Sequence, residues 1–241
     1  MKKNEEIGEE GLKAVLFDMD GVLFDSMKNH TLAWYKTMAG MGIACERDEF
    51  YLYEGATGEW TINRIFRRAY GREATAEEIE GIYAEKSRWF NELPLVKVMS
   101  GAKEVLEQVR ELDLIPVVVT GSGQRSLLER LEREFPGVFV AERMVTAFDV
   151  RQGKPHPEPY LKGLEKAGVA AAEALVVENA PLGVQAAVAA GIFTVAVNTG
   201  PIPAEKLREA GAGVVLPGMP ALADSFDDVV RSWRGGVFDG K

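Results

Sequence analysis

Five short apolar runs, each stopping at a turn or polar residue, constrain this chain more than any other feature. They are KAVLF (13–17), IPVVVT (115–120), ALVVE (174–178), FTVAV (193–197) and the weaker GVVL (213–216). Runs this short and this continuously apolar suit strands buried on both faces, as in a parallel sheet. Between and after them lie segments of helical periodicity at 102–112, 125–134, 159–167, 182–190 and 203–210. Strand–helix alternation of this kind predicts an α/β doubly wound parallel sheet with helices on both faces.

Residues 26–93 break the rhythm. No buried-strand run occurs there, and 30–41, 59–70 and 76–91 read as amphipathic helices separated by glycine-containing breaks at 40–42, 55–58 and 71. A helical insertion directly after the first strand is expected over the carboxyl edge of the sheet, where open α/β folds bind ligands. The division expected is a discontinuous core of 12–25 and 94–232, a helical cap of 26–93 with linkers at Asp25, Ser26 and Pro94, and loosely held tails at 1–11 and 233–241.

Composition narrows the function. The net charge of −9 disfavours non-specific binding to nucleic acid or an anionic membrane. An anionic substrate must therefore be met by a local cation or a metal. With Cys45 as the single cysteine, no intrachain disulfide forms. No apolar run approaches the ~20 residues that span a bilayer. The opening residues lack the apolar stretch of a secretion signal, and a cytoplasmic location is expected.

Polar residues collect at the strand ends. Asp18 and Asp20 follow the first strand in DMDG; two residues apart in extended chain, they face one way with Met19 turned opposite. Carboxylates this close call for a cation between them, although the same residues would serve as an Asx turn or helix cap. Thr120 opens into GSGQ, where the backbone of Gly121 and Ser122 before a helix suits a phosphate, or forms a plain turn. Lys154 sits among prolines in GKPHPEPY, held in place rather than solvated if the prolines stiffen it. Glu178 and Asn179 end the third run, as oxygen ligands for magnesium or, for Asn179, as a helix cap.

As an ordered set, DMDGV, VVVTGSG, GKPHPEPY and VVENAPLGVQAAVAAG resemble the four motifs of the haloacid dehalogenase superfamily, over residues 13–228. The insertion is similar to the α-helical cap of its β-phosphoglucomutase-like branch. The resemblance implies a Rossmann-like core and an aspartyl-phosphate intermediate. It implies Asp18 as nucleophile, Asp20 as acid and base, Thr120 and Lys154 on the phosphoryl group, and Mg2+ held by Asp18, the Asp20 carbonyl, Glu178 and Asn179. That Asn stands where a second acid is usual.

The cap is expected to choose the leaving group. His30 and Lys86 fall where sugar-phosphate mutases of the branch carry a histidine and a cap lysine. Against a mutase, the loop YEGATGEW has no Lys or Arg between Arg47 and Arg64, and Glu54 stands where a basic residue would grip a distal phosphate. Arg64, Arg67 and Arg68 are read as a solvated face. YEGATGEWTIN, MVTAFDV and VVENAPLGVQAA look closest to the inorganic pyrophosphatases of this branch, in which a glutamate and an asparagine occupy the Glu54 and Asn179 positions. The expectation is a Mg2+-dependent inorganic pyrophosphatase. The alternatives are a mutase, a small-phosphomonoester phosphatase and a non-catalytic phosphate-binding member. In every case the partner is a small phosphate-containing molecule.

Overall fold

The structure, a computed structural model, describes residues 11–235. The elements run β1 (Ala14–Phe17), β2 (Phe24–Asp25), α1 (Met27–Gly40), a 3-10 helix (Arg47–Tyr53), α2 (Gly58–Tyr70), α3 (Ala76–Glu92), β3 (Lys97–Val98) and α4 (Ala102–Glu111). They continue with β4 (Ile115–Val119), α5 (Arg125–Glu134), β5 (Met144–Val145), α6 (Glu158–Ala167), β6 (Ala174–Glu178), α7 (Pro181–Ala189), β7 (Phe193–Val197), α8 (Ala204–Glu209), β8 (Val214–Leu216) and α9 (Met219–Gly235).

Six strands form one parallel sheet in the order β5-β4-β1-β6-β7-β8. All five apolar runs are in it, with β1 central and flanked by β4, which ends at Val119, and β6, which ends at Glu178. The period of two divides each run between two cores. Val15, Phe17, Val118, Leu175 and Val177 pack beneath α4, α5 and α9, and Leu16, Val117, Val119 and Val176 pack against Tyr160 and Leu164 of α6 and Ala186 and Ala187 of α7. All of these side chains are buried, and all but Leu164 have no exposure. At about 1.5–3 kcal/mol per fully buried aliphatic side chain, this double burial fixes the register of the sheet.

Residues 27–92 carry α1, α2 and α3 around a cluster of their own, including Trp34, Met38, Phe50, Ile62, Ile65 and Phe66. A two-stranded antiparallel ribbon, Phe24↔Val98 and Asp25↔Lys97, ties together the two chain segments that lead into and out of these helices. Arg130 of α5 donates to the Val96 carbonyl and lies over the Phe24 ring, anchoring the ribbon to the sheet side.

The sequence reading missed the 3-10 helix Arg47–Tyr53, the short strands β2, β3 and β5, and helix α9. β5 and the β2–β3 ribbon are two residues per strand, too short to show a period, and exist through their partners. Helix α9 carries a kink at Ser225. It also moves the boundary of the carboxyl tail, because Trp233 lies inside α9 and its indole N–H donates to the Ala174 carbonyl at 3.2 Å. The rest of the stretches read as tails, 1–10 and 236–241, lies outside the described residues. Among the described residues no helix is long and apolar enough to cross a membrane.

Candidate active site

The carboxyl ends of β1, β4 and β6 converge under the helical insertion. Asp18 continues β1, its N–H bonded to the Val177 carbonyl at 3.0 Å. Asp18 and Asp20 line one small cavity while Met19 enters the core on the other side, the alternation expected of extended chain. Thr120 extends β4, with its N–H on the Val145 carbonyl. Its hydroxyl oxygen accepts the Ser122 N–H at 2.9 Å. One of the amides read as a phosphate donor is thus already engaged, and the next, Gly123 N–H, donates to the Tyr83 hydroxyl at 3.0 Å. Gly121 is pressed from above by the loop 54–58: a Cβ there would lie 2.2 Å from the Gly55 carbonyl oxygen, so the two backbones meet only because this residue is glycine.

Lys154 is fully buried and not a solvated charge. Its ammonium donates to Asp18 Oδ1 at 2.6 Å, Glu178 Oε1 at 2.6 Å and the Val119 carbonyl at 3.0 Å. Glu178 Oε1 also accepts the Tyr160 hydroxyl at 2.9 Å, and Oε2 accepts the N–H groups of Asn179 and Ala180. Both Glu178 oxygens are therefore spoken for. The sequence reading placed Glu178 on a metal, whereas here it is the counter-charge of Lys154.

Asn179 is not a helix cap, since Ala180 occupies that position before α7. Its amide nitrogen donates to Glu54 Oε1 at 2.6 Å and to Thr199 Oγ1 at 3.3 Å. Glu54, only 5 % exposed, thus reaches from the end of the 3-10 helix into the strand-end site. Asp18, Glu54 and Asn179 each keep one buried oxygen without a partner, Oδ2, Oε2 and Oδ1 respectively. Burial pushes the Asp18 carboxyl up to about 8 despite the pull of Lys154, and burial with the nearby carboxylates drives Glu54 well above the usual range. Hard, unpartnered oxygens on acids that burial disfavours as anions fit a magnesium ion. Among the described residues no three His, Cys, Asp or Glu side chains are grouped to hold a metal, in keeping with a set whose third oxygen is an amide.

On the insertion side, Lys86, His30 and Asp20 form a buried chain. Lys86 Nζ lies 2.8 Å from His30 Nδ1, and His30 Nε2 lies 2.9 Å from Asp20 Oδ1, which also accepts the Ser26 hydroxyl at 2.5 Å. Because the ammonium donates to Nδ1, the imidazole proton sits on Nε2 and is donated to Asp20. Burial and Lys86 together hold the His30 pKa down. Burial works to raise Asp20, but His30, Ser26 and Lys86 outweigh it and keep the carboxyl below its ordinary value. Lys86 itself is lowered to about 8 by burial, among the faces of Trp34, Tyr83 and Phe90.

All the sequence-proposed residues thus lie at or beside one site. Ser26, Tyr83, Tyr160 and Thr199 were missed. Tyr83 stands one helical turn before Lys86, Tyr160 ends GKPHPEPY, and Thr199 lies two residues past the end of β7; those positions were the available signals.

The chain belongs to the haloacid dehalogenase-like hydrolase family, which it matches over residues 15–197. It is 31% identical over 199 residues to hexitol phosphatase A of Escherichia coli, covering 82% of this chain and 88% of that protein. A protein from Caldanaerobacter subterraneus, provisionally described as the pyrophosphatase PpaX, is 28% identical over 199 residues, with 82% and 87% covered. Among solved structures, one from Bacteroides vulgatus, provisionally described as a β-phosphoglucomutase, is 53% identical with a TM-score of 0.88, covering 93% of this chain and 90% of that one. Other relatives include a validoxylamine A 7'-phosphate phosphatase, a phosphorylated carbohydrates phosphatase of Thermotoga maritima and a β-phosphoglucomutase of Bacillus subtilis. The protein is a phosphatase or phosphomutase of this family.

Proposed function

We propose that the protein is a magnesium-dependent inorganic pyrophosphatase working through an aspartyl-phosphate. The observation that carries this reading is Glu54. The insertion sends an acid, not a base, into the site, bonded to Asn179, and its second oxygen is without a partner, as are Asp18 Oδ2 and Asn179 Oδ1. An acid there repels a bare distal phosphate but accepts one that arrives with its metal. The cavity volume of about 50 Å³ suits a compact leaving group. Among the residues lining it, Lys86 is the one Lys or Arg, placed to meet a leaving phosphate.

In this reading Asp18, Asn179, Glu54 and the Asp20 carbonyl would hold magnesium, which would neutralise charge on the phosphoryl oxygens and on Asp18. The Asp18 carboxylate attacks phosphorus, and the bond to the leaving phosphate breaks. Asp20 rests as a carboxylate, so the proton it gives that phosphate is passed to it from His30 Nε2, whose Nδ1 takes one from Lys86 in turn. Asp20 then takes a proton from the water that cleaves the aspartyl-phosphate and restores Asp18, and that proton returns to the buried chain. Lys154 holds Asp18 in line, with Glu178 and Tyr160 fixing Lys154. Thr120 binds a phosphoryl oxygen.

A β-phosphoglucomutase-type mutase is the second reading. It is favoured by the Lys86–His30–Asp20 chain and by the 53% identity to the Bacteroides vulgatus protein. The deciding experiment is phosphate release with magnesium from pyrophosphate, β-glucose 1-phosphate and a panel of phosphomonoesters, for the wild type and Glu54→Ala. The pyrophosphatase reading expects pyrophosphate to lead the panel and Glu54→Ala to lower its turnover strongly with little change in Tm. Undiminished pyrophosphate hydrolysis by Glu54→Ala, or pyrophosphate ranking below sugar phosphates, would overturn it.

A further inference from the structure

Two spaces meet at Tyr83. The small cavity and an outer groove of about 570 Å³ between α3 and the loops after β4 and β5 share Gly58 and Tyr83 as lining residues. The phenol ring therefore stands between them. It lies there because residue 58 has no side chain: a Cβ would fall 2.3 Å from Tyr83 Cδ2 and 2.4 Å from Cε2. Its hydroxyl is pinned by the Gly123 N–H at 3.0 Å, so the ring is fixed to the strand-end loop as well as to its own helix. Beyond it the groove is lined by Ile79, Phe148 and Val150 with Arg125 at its edge, and Phe148 is 67% exposed. The groove thus has an apolar floor for which the compact site on the near side of the ring has no use.

We propose that Tyr83, seated on Gly58, is a specificity-determining residue that limits the leaving group to what the small cavity holds, and that the groove is the room a bulkier leaving group would take if the ring were gone. This rests on the cavity being the catalytic one, as in the reading above, but not on pyrophosphate being its substrate. A hydrophobic partition of this kind discriminates through exclusion of volume, and its removal is read as a change in relative kcat/KM.

The test compares 4-methylumbelliferyl phosphate, which has a bulky aromatic leaving group, with acetyl phosphate, which has a small one, in the wild type, Tyr83→Phe and Tyr83→Ala. The intrinsic reactivity of each compound cancels when the ratio of the two kcat/KM values is compared between variants. Tyr83→Ala is expected to raise the bulky-to-small ratio by at least about tenfold. Tyr83→Phe keeps the ring and should hold the wild-type ratio while lowering both values together, because Gly123 loses its acceptor. If thermal melts show that Tyr83→Ala is unfolded, Tyr83→Leu carries the same comparison. An unchanged ratio in the folded alanine or leucine variant overturns the proposal, and so does an equal shift in Tyr83→Phe, which would assign the effect to the hydroxyl. Failure of the wild type on pyrophosphate would remove the pyrophosphatase reading alone, since both test compounds need only the Asp18 chemistry.

Discussion

Lys86→Met should make this protein more stable near neutral pH while crippling it, and the size of the gap can be worked from the structure. Lys86 is 2 % exposed, and burial lowers its pKa from 10.5 to about 8. At ~1.4 kcal/mol per pKa unit, holding the ammonium in the folded state costs about 3 kcal/mol. The sign follows from proton counting. Below pH 8 both folded and unfolded chains carry the proton, so the cost is constant. Between pH 8 and 10.5 the unfolded chain holds it and the folded chain does not, so wild-type stability rises with pH relative to a variant lacking the group. Methionine keeps most of the volume among Trp34, Tyr83 and Phe90. The hydrogen bond to His30 is lost, which enters as an offset on the gap. Urea denaturation of both proteins at pH 7.5 and pH 10.5, without substrate, reads the difference. The stability of Lys86→Met relative to wild type should fall by about 3 kcal/mol across that interval, other titrations cancelling. Turnover at pH 7.5 should drop about 10²-fold, the scale of one charged donor lost from a transition state. A gap that stays constant with pH would refute the account of Lys86 as a cation kept in place against its desolvation.

Asp18→Asn should abolish phosphate release with the circular dichroism spectrum unchanged, because Lys154 retains Glu178 and the Val119 carbonyl as acceptors. Asp20→Asn should cost ~10²–10⁴-fold in kcat, with smaller losses on substrates whose leaving groups need no proton; equal losses on good and poor leaving groups would remove Asp20 from the acid role. Asn179→Asp would set a carboxylate where the amide now donates to Glu54 at 2.6 Å. It should lower Tm in magnesium-free buffer and raise magnesium affinity by calorimetry, and an unchanged affinity would take Asn179 out of the metal set.

Much of this was legible in the sequence because it is local. A strand buried on both faces has to be apolar throughout, so the runs ending at Phe17, Val119 and Glu178 announce themselves and carry Asp18, Thr120 and Glu178 to one edge. Extended geometry alone puts Asp18 and Asp20 on one side. The sequence also showed Glu54 and Asn179, 125 residues apart, as two departures that one resemblance explains, with no sign that they touch. Only the tertiary structure joins them, since a hydrogen bond between a loop of the insertion and a strand end leaves no periodicity to read. The same holds for the two-residue strands, which exist through their partners, and for Tyr83, whose place depends on the absence of a Cβ at Gly58. It holds above all for Glu178. Residue type made it a metal ligand, and the neighbours it meets in the fold, Lys154, Tyr160 and two backbone N–H groups, take up both its oxygens. Sequence decides which groups are available at the strand ends. Which of their atoms remain open is decided by what the rest of the chain brings within hydrogen-bonding reach.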